Sequence, residues 1–406
     1  MRVLILGAGP AGLTVAERLR QLEAHRRQPV EITMVSAEPF PPYSPPAMAD
    51  HFLTGERSRL FWKGEDICDR LRIDYRSGLA AVSLDPVDHS VAFDDGSRLE
   101  YDRLVIATGS RPWAPLPGND LEGVYNFKSL SAARRLVEKA ELGQVTSAVV
   151  VGAGFIGVEV ALLLNELGLG VTLIEQHTVM PRMLDDETAE IVRRILVARG
   201  IEVRLQTTAL SFADLEGRAI GVVLENGDML KGSVYIAATG IKPNTAFLSD
   251  CGLELGWGVP VDATLSTSLP DVWAAGDVAE TTDRVTGERF VHAIWPNAVA
   301  QGKVVAERLL GYDVRYEGAE IMNSLKHLGL PLIAAGAVAG DRELRSSRQG
   351  TLRKIILDHD RIVGFRLAGD LRAAGAYRSL MLRKVDVRSF ENELLDPNFG
   401  LGRMAA

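Results

Sequence analysis

Two short runs, VLILGAGPAG at the start of the chain and AVVVGAGFIG near its middle, each carry an apolar β-run straight into Gly-x-Gly-x-x-Gly. In the first, Val3 to Leu6 lead into Gly7, Gly9 and Gly12, and a helical pattern follows with apolar Leu13, Ala16, Leu19 and Leu22. In the second, the glycines are Gly152, Gly154 and Gly157. Strand, tight turn and helix in that order is the setting in which such glycines cradle a nucleotide. The first permits the turn, the second lets a pyrophosphate approach the backbone, and the third lets helix and strand pack closely. The anion then sits at the helix N-terminus, attracted by free N–H groups and the helix dipole. Two such units predict two bound nucleotides.

A carboxylate about 20 residues beyond the turn completes such a site by binding ribose hydroxyls. GVTLIE ends in Glu175, and the next residues, Gln176 and His177, offer no arginine for a 2′-phosphate, which predicts NAD(H) rather than NADP. In EITMVSAEP the strand ends at Ser36 and the acid is Glu38, so the sequence leaves both open as the adenosine-ribose contact. The segments VAFDDGSRLEYDRLVIATGS (91–110) and VVLENGDMLKGSVYIAATGI (222–241) repeat one pattern, with turns at Asp95-Gly96 and Asn226-Gly227 and a closing Ala-Thr-Gly. Each predicts a small antiparallel excursion that closes a nucleotide-binding unit.

On these residues the chain resembles, over essentially its whole length, the FAD-dependent pyridine nucleotide oxidoreductases with two dinucleotide-binding domains. GAGPAG resembles the FAD fingerprint and GAGFIGVE the NAD fingerprint; LVIATGSRP and IAATGIKPN resemble the paired ATG motifs. DVWAAGDVAE resembles the late FAD motif, and HAIWPNAVAQGKVVAERLLG the helix beneath the flavin. The branch it resembles is that of NADH–rubredoxin and ferredoxin reductases, with related nitrite reductase flavin domains. The resemblance implies an α/β fold of two Rossmann-like dinucleotide-binding domains (three-layer ββα) plus a C-terminal α+β interface domain. Residues 1–112 and 242–312 would form a split FAD domain, 113–241 the NAD domain, and 313–406 the interface or dimerisation domain. The Pro/Gly-rich RPWAPLPG and the Gly-Tyr-Asp break at 311–313 mark such boundaries.

For FAD the resemblance implies contacts from Gly7, Gly9, Pro10, Ala11, Gly12, Ser36, Glu38, Val82, Thr108, Gly109, Arg111, Gly276, Asp277 and Trp295. Asp277 would hold the ribityl chain, and Trp295 and Pro46 would belong to the flavin environment, although Trp295 reads equally as a core aromatic. For NAD(H) it implies Gly152, Gly154, Phe155, Ile156, Gly157, Glu159, Glu175 and Gly240. Glu159 reads either as a nicotinamide-side contact or as a first-turn acid favoured by the helix dipole.

Disulfide reductases of this family carry a redox cysteine after the first βαβ unit. Here that segment is PFPPYSPPAMADHFLTG, and no cysteine precedes Cys68, which lies in the helical-looking GEDICDRLR and reads as a half-buried helix residue. The ferredoxin reductase pattern Pro-Tyr-x-Arg-Pro-x-Leu-Ser-Lys keeps Pro42 and Tyr43 but has Pro45 at the Arg position and Asp50 at the Lys position. A cationic flavin partner is thereby missing from its usual place. Cys68 and Cys251, far apart, predict no disulfide and fit a cytoplasmic setting. The seven histidines have no metal-ligand spacing, so no metal site is predicted. Net charge −8 disfavours nucleic acid, no apolar run is long enough for a bilayer, and MRVLILGAGPAGL reads as a mature N-terminus rather than a signal peptide. The basic stretch DRELRSSRQGTLRK (341–354) reads as a solvated charged loop or a docking segment.

The expected chemistry belongs to the cofactors: NADH gives a hydride to flavin N5, and the flavin releases electrons singly. The expected partner is an iron–sulfur or rubredoxin-type protein, met transiently or as a companion subunit of a multi-subunit aldehyde or 2-oxoacid oxidoreductase, with the chain oligomeric or in a hetero-complex. A FAD- and NAD-binding sensor or scaffold, and an NADH oxidase using O2, are the alternatives.

Overall fold

The computed structural model describes residues 1–402 other than 24–28, 326, 349 and 401. They form two compact units, one of Met1–Arg111, Ile241–Asp283 and Gly287–Ala319, the other of Pro112–Gly240, Arg284–Thr286 and Glu320–Ala406. The first begins with β1 (Arg2–Leu6), α1 (Pro10–Glu23), β2 (Glu31–Ser36), β3 (Asp74–Ser77) and β4 (Arg103–Ile106). The second contributes β5 (Val124–Tyr125), β6 (Ser147–Val151), α2 (Phe155–Glu166), β7 (Gly170–Ile174), α3 (Asp186–Ala198), β8 (Glu202–Arg204) and β9 (Val234–Ala237). The chain returns to the first unit with β10 (Val272–Ala274) and α4 (Trp295–Leu309). It ends in the second with β11 (Met322–Leu325), β12 (Leu332–Gly336), β13 (Arg342–Arg348), β14 (Thr351–Asp358), β15 (Arg361–Ala368) and α5 (Ala374–Leu382).

Two parallel sheets follow from the two glycine-turn units, in the orders β10-β4-β1-β2-β3 and β8-β7-β6-β9-β5. Parallel strands are covered on both faces and therefore read as unbroken apolar runs. Val3–Leu6 and Ala148–Val151 are such runs, and every one of these residues is buried. The repeated segment before each Ala-Thr-Gly forms the expected antiparallel excursion: Ala81–Asp85, Ser90–Phe93 and Arg98–Glu100 in one case, Ala209–Leu215, Arg218–Leu224 and Met229–Leu230 in the other. Gly96 (φ +83) and Gly227 (φ +87) take the left-handed turn positions.

In the first unit α1 and α4 lie side by side. A Cβ added at Gly302 would come 2.6 Å from the Ala11 carbonyl oxygen and 2.9 Å from Thr14 Cβ, so the missing side chain sets the approach of the two helices. Arg18 and Glu307 bridge the same pair at 2.5 Å. In the second unit the C-terminal sheet is antiparallel, in the order β11-β12-β15-β14-β13. Ile355, Leu357, Phe365 and Leu367 pack there with Tyr377, Leu380 and Met381 of α5 in one apolar core. The basic stretch 341–354 is not the loop expected, although β13 lies largely exposed and, among the described residues of the stretch, only Leu352, Arg353 and Lys354 at its end are buried. It contributes β13 and the first half of β14, and its charges find partners distant in sequence: Arg342 binds Glu391 and Asp360, and Arg345 binds Glu187.

Replacing Gly302 with Val should force α1 and α4 apart. Thermal unfolding is expected to show a loss of about 1–3 kcal/mol of stability, as overpacking produces.

Candidate dinucleotide-binding sites

Both glycine turns rest on backbone contacts that leave no room for a side chain. At Gly7 (φ +114) a Cβ would lie 2.0 Å from the Ala107 carbonyl oxygen, and at Gly12 it would lie 2.0 Å from that of Gly7. In the second turn, Gly152 (φ +103) meets the Ala238 carbonyl oxygen at 2.5 Å and Gly157 meets that of Gly152 at 1.9 Å. Backbone cannot step aside as a flexible side chain can. The middle glycines behave oppositely, since a Cβ at Gly9 or Gly154 meets nothing within 4 Å. Open space faces the middle glycine, at the start of a helix whose first N–H groups lack intrahelical partners. Pro10 opens α1, and Gly154 is the N-cap of α2. This arrangement fits a pyrophosphate in both places.

The strand register gives Ser36 and Glu38 different positions relative to the first turn. Gly7 N–H donates to Val35 O at 2.7 Å, and Gly152 N–H donates to Ile174 O at 2.9 Å. Ser36 therefore occupies in the first unit the position Glu175 holds in the second. The Glu175 carboxylate accepts from the N–H of Ala153 at 2.9 Å and of His177 at 3.1 Å, which fixes it beside the turn. Glu38 lies two residues further, where its carboxylate accepts the Tyr43 hydroxyl at 2.5 Å and its N–H donates to Ser36 Oγ at 3.2 Å. Beside Glu175 is a polar hollow of about 280 Å³ whose lining includes Arg204, Gln206, Thr207 and Asn226. Glu175 N–H donates to Arg204 O, and Thr207 N–H to Glu175 O, both at 3.0 Å. The residues that follow Glu175 in the chain do not reveal Arg204, which arrives on the neighbouring strand. Its guanidinium is engaged by Glu202 at 2.7 Å.

The two Ala-Thr-Gly segments are tied down differently. Thr108 Oγ1 donates to Asn244 O at 2.9 Å while Asn244 Nδ2 donates back to Thr108 O at 2.8 Å. Thr239 Oγ1 donates to Trp113 O at 2.7 Å, and Trp113 N–H donates to Gly240 O at 2.8 Å. Gly109 has φ +66, whereas Gly240 is not in the left-handed region.

Gly276 (φ +82) brings its backbone against Ala11, where a Cβ would sit 3.1 Å from Ala11 Cβ, and its N–H donates to the buried Gln301 of α4 at 2.6 Å. The neighbouring Asp277, half-buried, accepts from Ser110 Oγ at 3.0 Å. Thus Gly9, Ala11, Gly276 and Asp277 gather around the first turn. Trp295 opens α4 and meets Trp62 edge to face at 4.9 Å, a partner sequence reasoning did not name. Pro46 lies exposed in a short 3₁₀ turn, Pro45–Ala47. Val82 and Arg111 are exposed in the first unit; Phe155 is exposed, and Ile156 and Glu159 half-buried, in α2.

Cys68 is 6% exposed, and burial, with Asp69 nearby, pushes its thiol up to about 11. It is more buried than the half-buried residue expected. Cys251 is also buried, with Sγ 3.1 Å from Leu248 O. Asp341, Asp358 and His359 gather at the surface with ligand atoms within 4.8 Å, a cluster the sequence did not reveal and one common without any ion. No helix among the described residues is long and apolar enough to cross a membrane.

The family model described as pyridine nucleotide-disulphide oxidoreductase matches residues 1–302. The assimilatory nitrate reductase electron transfer subunit of Bacillus subtilis is 28% identical over 98% of this chain, which spans about half (51%) of that protein. An NADH oxidase of Methanocaldococcus jannaschii is 28% identical over 97% of the chain and 93% of its own length. The NADH-dependent phenylglyoxylate dehydrogenase subunit epsilon of Aromatoleum evansii is 27% identical over 99% and 96%. Among solved structures, the ferredoxin reductase for the CYP199A2 system of Rhodopseudomonas palustris superposes with a TM-score of 0.87, at 28% identity and 100% coverage of both chains.

Because nothing within 4 Å faces the middle glycines, Gly9→Val and Gly154→Val should each fold but lose the nucleotide held at that turn. Gly12→Val, by contrast, should fail to fold. Circular dichroism and the visible flavin spectrum read both outcomes.

Proposed function

The chain belongs to the pyridine nucleotide-disulphide oxidoreductase family and is an NAD(P)H-dependent flavin oxidoreductase, and from that premise we propose that it passes electrons between NAD(H) and a one-electron protein of the iron–sulfur or rubredoxin type, with no thiol in the path. On this reading FAD takes the turn at Gly7–Gly12, with Ser36, Gly276 and Asp277 around it. NAD(H) takes the turn at Gly152–Gly157, with Glu175 on the adenosine ribose and the hollow at Arg204 and Thr207 beside it. We assign residues 1–112 and 242–312 to the FAD domain, 113–241 to the NAD domain and 313–406 to the interface domain.

The observation that carries the reading is the pairing of two pyrophosphate-shaped turns with two buried thiols. A cysteine relay needs an accessible thiolate of low pKa, and Cys68 is buried with its thiol pushed up to about 11. Bound FAD would supply acceptance of a hydride and release of single electrons. The protein's own residues bind and orient. Backbone N–H groups at each turn hold a pyrophosphate, Glu175 selects a free 2′-hydroxyl, and Asp277 holds the flavin side of the first nucleotide by hydrogen bonds. No side-chain acid, base or nucleophile is asked to move a proton.

Coverage of nearly the whole length of the phenylglyoxylate dehydrogenase subunit favours a dedicated flavin subunit that feeds NAD⁺ from iron–sulfur clusters held by a companion chain. A free-standing reductase is the second version, supported by the full-length match to a ferredoxin reductase. Stopped-flow mixing with NADH under argon tests the central reading. The flavin should bleach within seconds; a flavin that stays oxidised would point to a binding scaffold. Rapid oxygen uptake with NADH alone would point instead to an oxidase. Co-purification separates the two versions, since an iron–sulfur companion selects the subunit and a lone yellow protein the free reductase.

Glu175→Arg should weaken NADH by about tenfold, the effect of one charged hydrogen bond, and favour NADPH. Asp277→Ala should yield folded protein depleted in FAD. Steady-state selectivity and the ratio of visible to protein absorbance check the two variants.

A further inference from the structure

Three cations stand in a row across the C-terminal sheet. The register sets Arg345 of β13 opposite Lys354 of β14, and Lys354 opposite Arg366 of β15, so the three side chains leave the same face. Like charges directly opposed repel, and Lys354 and Arg366 are only 5% and 0% exposed. Such a row needs compensating acceptors, and for Arg345 and Lys354 these are carboxylates. The start of α3 brings them.

Asp185, the N-cap of α3, accepts from Lys354 Nζ at 2.9 Å and from the N–H groups of Glu187 and Thr188. Glu187 meets Lys354 Nζ at 3.0 Å and takes Arg345 Nε and Nη2 at 2.9 and 2.5 Å. Glu343 completes the shell of Lys354 at 3.4 Å. Burial acts against the charge on Asp185, but the bonds from Lys354 and Thr188 outweigh it and hold the carboxyl below its usual range. Arg366 donates through Nη1 to Ala335 O and Phe365 O, while Nε and Nη2 have no partner among the described residues; burial pushes it down to about 10. The row thus has its strongest anchor at Lys354.

The loop that ends at Asp185 begins at Glu175. Glu175 binds the N–H of Ala153 in the second glycine turn, and partway along the loop Met180 N–H donates to the carbonyl oxygen of the same Ala153 at 2.9 Å. Met180 has φ +52, a strained value for its type. The turn is therefore gripped from both sides by one loop, and the far end of that loop is fastened to Lys354.

We propose that Lys354, supported by Arg345, is a positioning residue for the NAD(H) site: by fixing the end of the 176–185 loop it holds Glu175 and Ala153 in register with the bound nucleotide. The proposal rests on the assignment of NAD(H) to the Gly152–Glu175 turn. It makes the C-terminal sheet part of the machinery that sets nucleotide affinity, and it gives the basic stretch 341–354 an internal role in place of a docking one.

The test uses full-length, FAD-loaded protein and the anaerobic rate of flavin reduction at increasing NADH. For Lys354→Met the NADH concentration at half-maximal rate should rise about fivefold to tenfold, the scale of coupling through a packed network. The limiting rate should stay within about twofold and the FAD content should be unchanged. Lys354→Arg should restore most of the affinity, and Glu187→Gln, at a half-exposed position, should shift it in the same direction by less. Arg342→Ala, which breaks the pairs of β13 with Asp360 and Glu391, away from α3, should leave it unaltered. An unchanged half-saturation in Lys354→Met, or in Glu187→Gln where the lysine variant does not fold, overturns the proposal; so does an equal shift in Arg342→Ala. Glu175→Arg separates the two levels. If it fails to turn preference toward NADPH, the site assignment is wrong; if it succeeds while the Lys354 and Glu187 variants stay unchanged, only the positioning role falls.

Discussion

The closest approach in each nucleotide-binding unit is between two stretches of backbone, and no side chain fits there. Gly12 against Gly7, and Gly157 against Gly152, bring a helix down onto its own strand at distances that a single added carbon would violate by more than 1 Å relative to ordinary contact. That approach aims the first N–H groups of α1 and α2 into the open space before Gly9 and Gly154. The rest of the first unit repeats the logic. Gly302 lets α4 close on α1, and Gly276 brings the segment carrying Asp277 against Ala11. Binding capacity here comes from side chains that are missing, placed where backbone must meet backbone or ligand.

A constraint of that kind is legible in sequence, because only glycine satisfies it and the spacing is fixed by the turn. The same holds for the two excursions ending in Ala-Thr-Gly, whose turn glycines take positive φ. What escaped was whatever depends on strand register or on partners remote along the chain. That Ser36, and not Glu38, stands at the position equivalent to Glu175 follows only from Val35 lying opposite Gly7 as Ile174 lies opposite Gly152. Arg204 reaches the Glu175 region through the adjacent strand, and Trp62 reaches Trp295 from a distant loop. Within the basic stretch 341–354 charge alone does not name a partner, and Lys354 finds Asp185 at a separation of 169 residues. Local periodicity carries no information about such a pair.

The family's name includes a disulfide, yet the two cysteines of this chain are buried and one is held strongly protonated. Electron transfer through cofactors alone asks little of side chains beyond binding and placement. That matches a protein whose polar investment lies in turns, caps and an ion network. The charged clasp at Lys354 belongs to the same economy of means, because it orders a loop and touches no reacting atom.

Anaerobic titration of the Cys68→Ser/Cys251→Ser double variant with NADH tests the central claim most directly. With electrons passing through FAD alone, full bleaching should require about one NADH per flavin, unchanged from the parent protein. A parent that consumes about two NADH per flavin, falling to one in the double variant, would reveal a thiol relay and contradict the account.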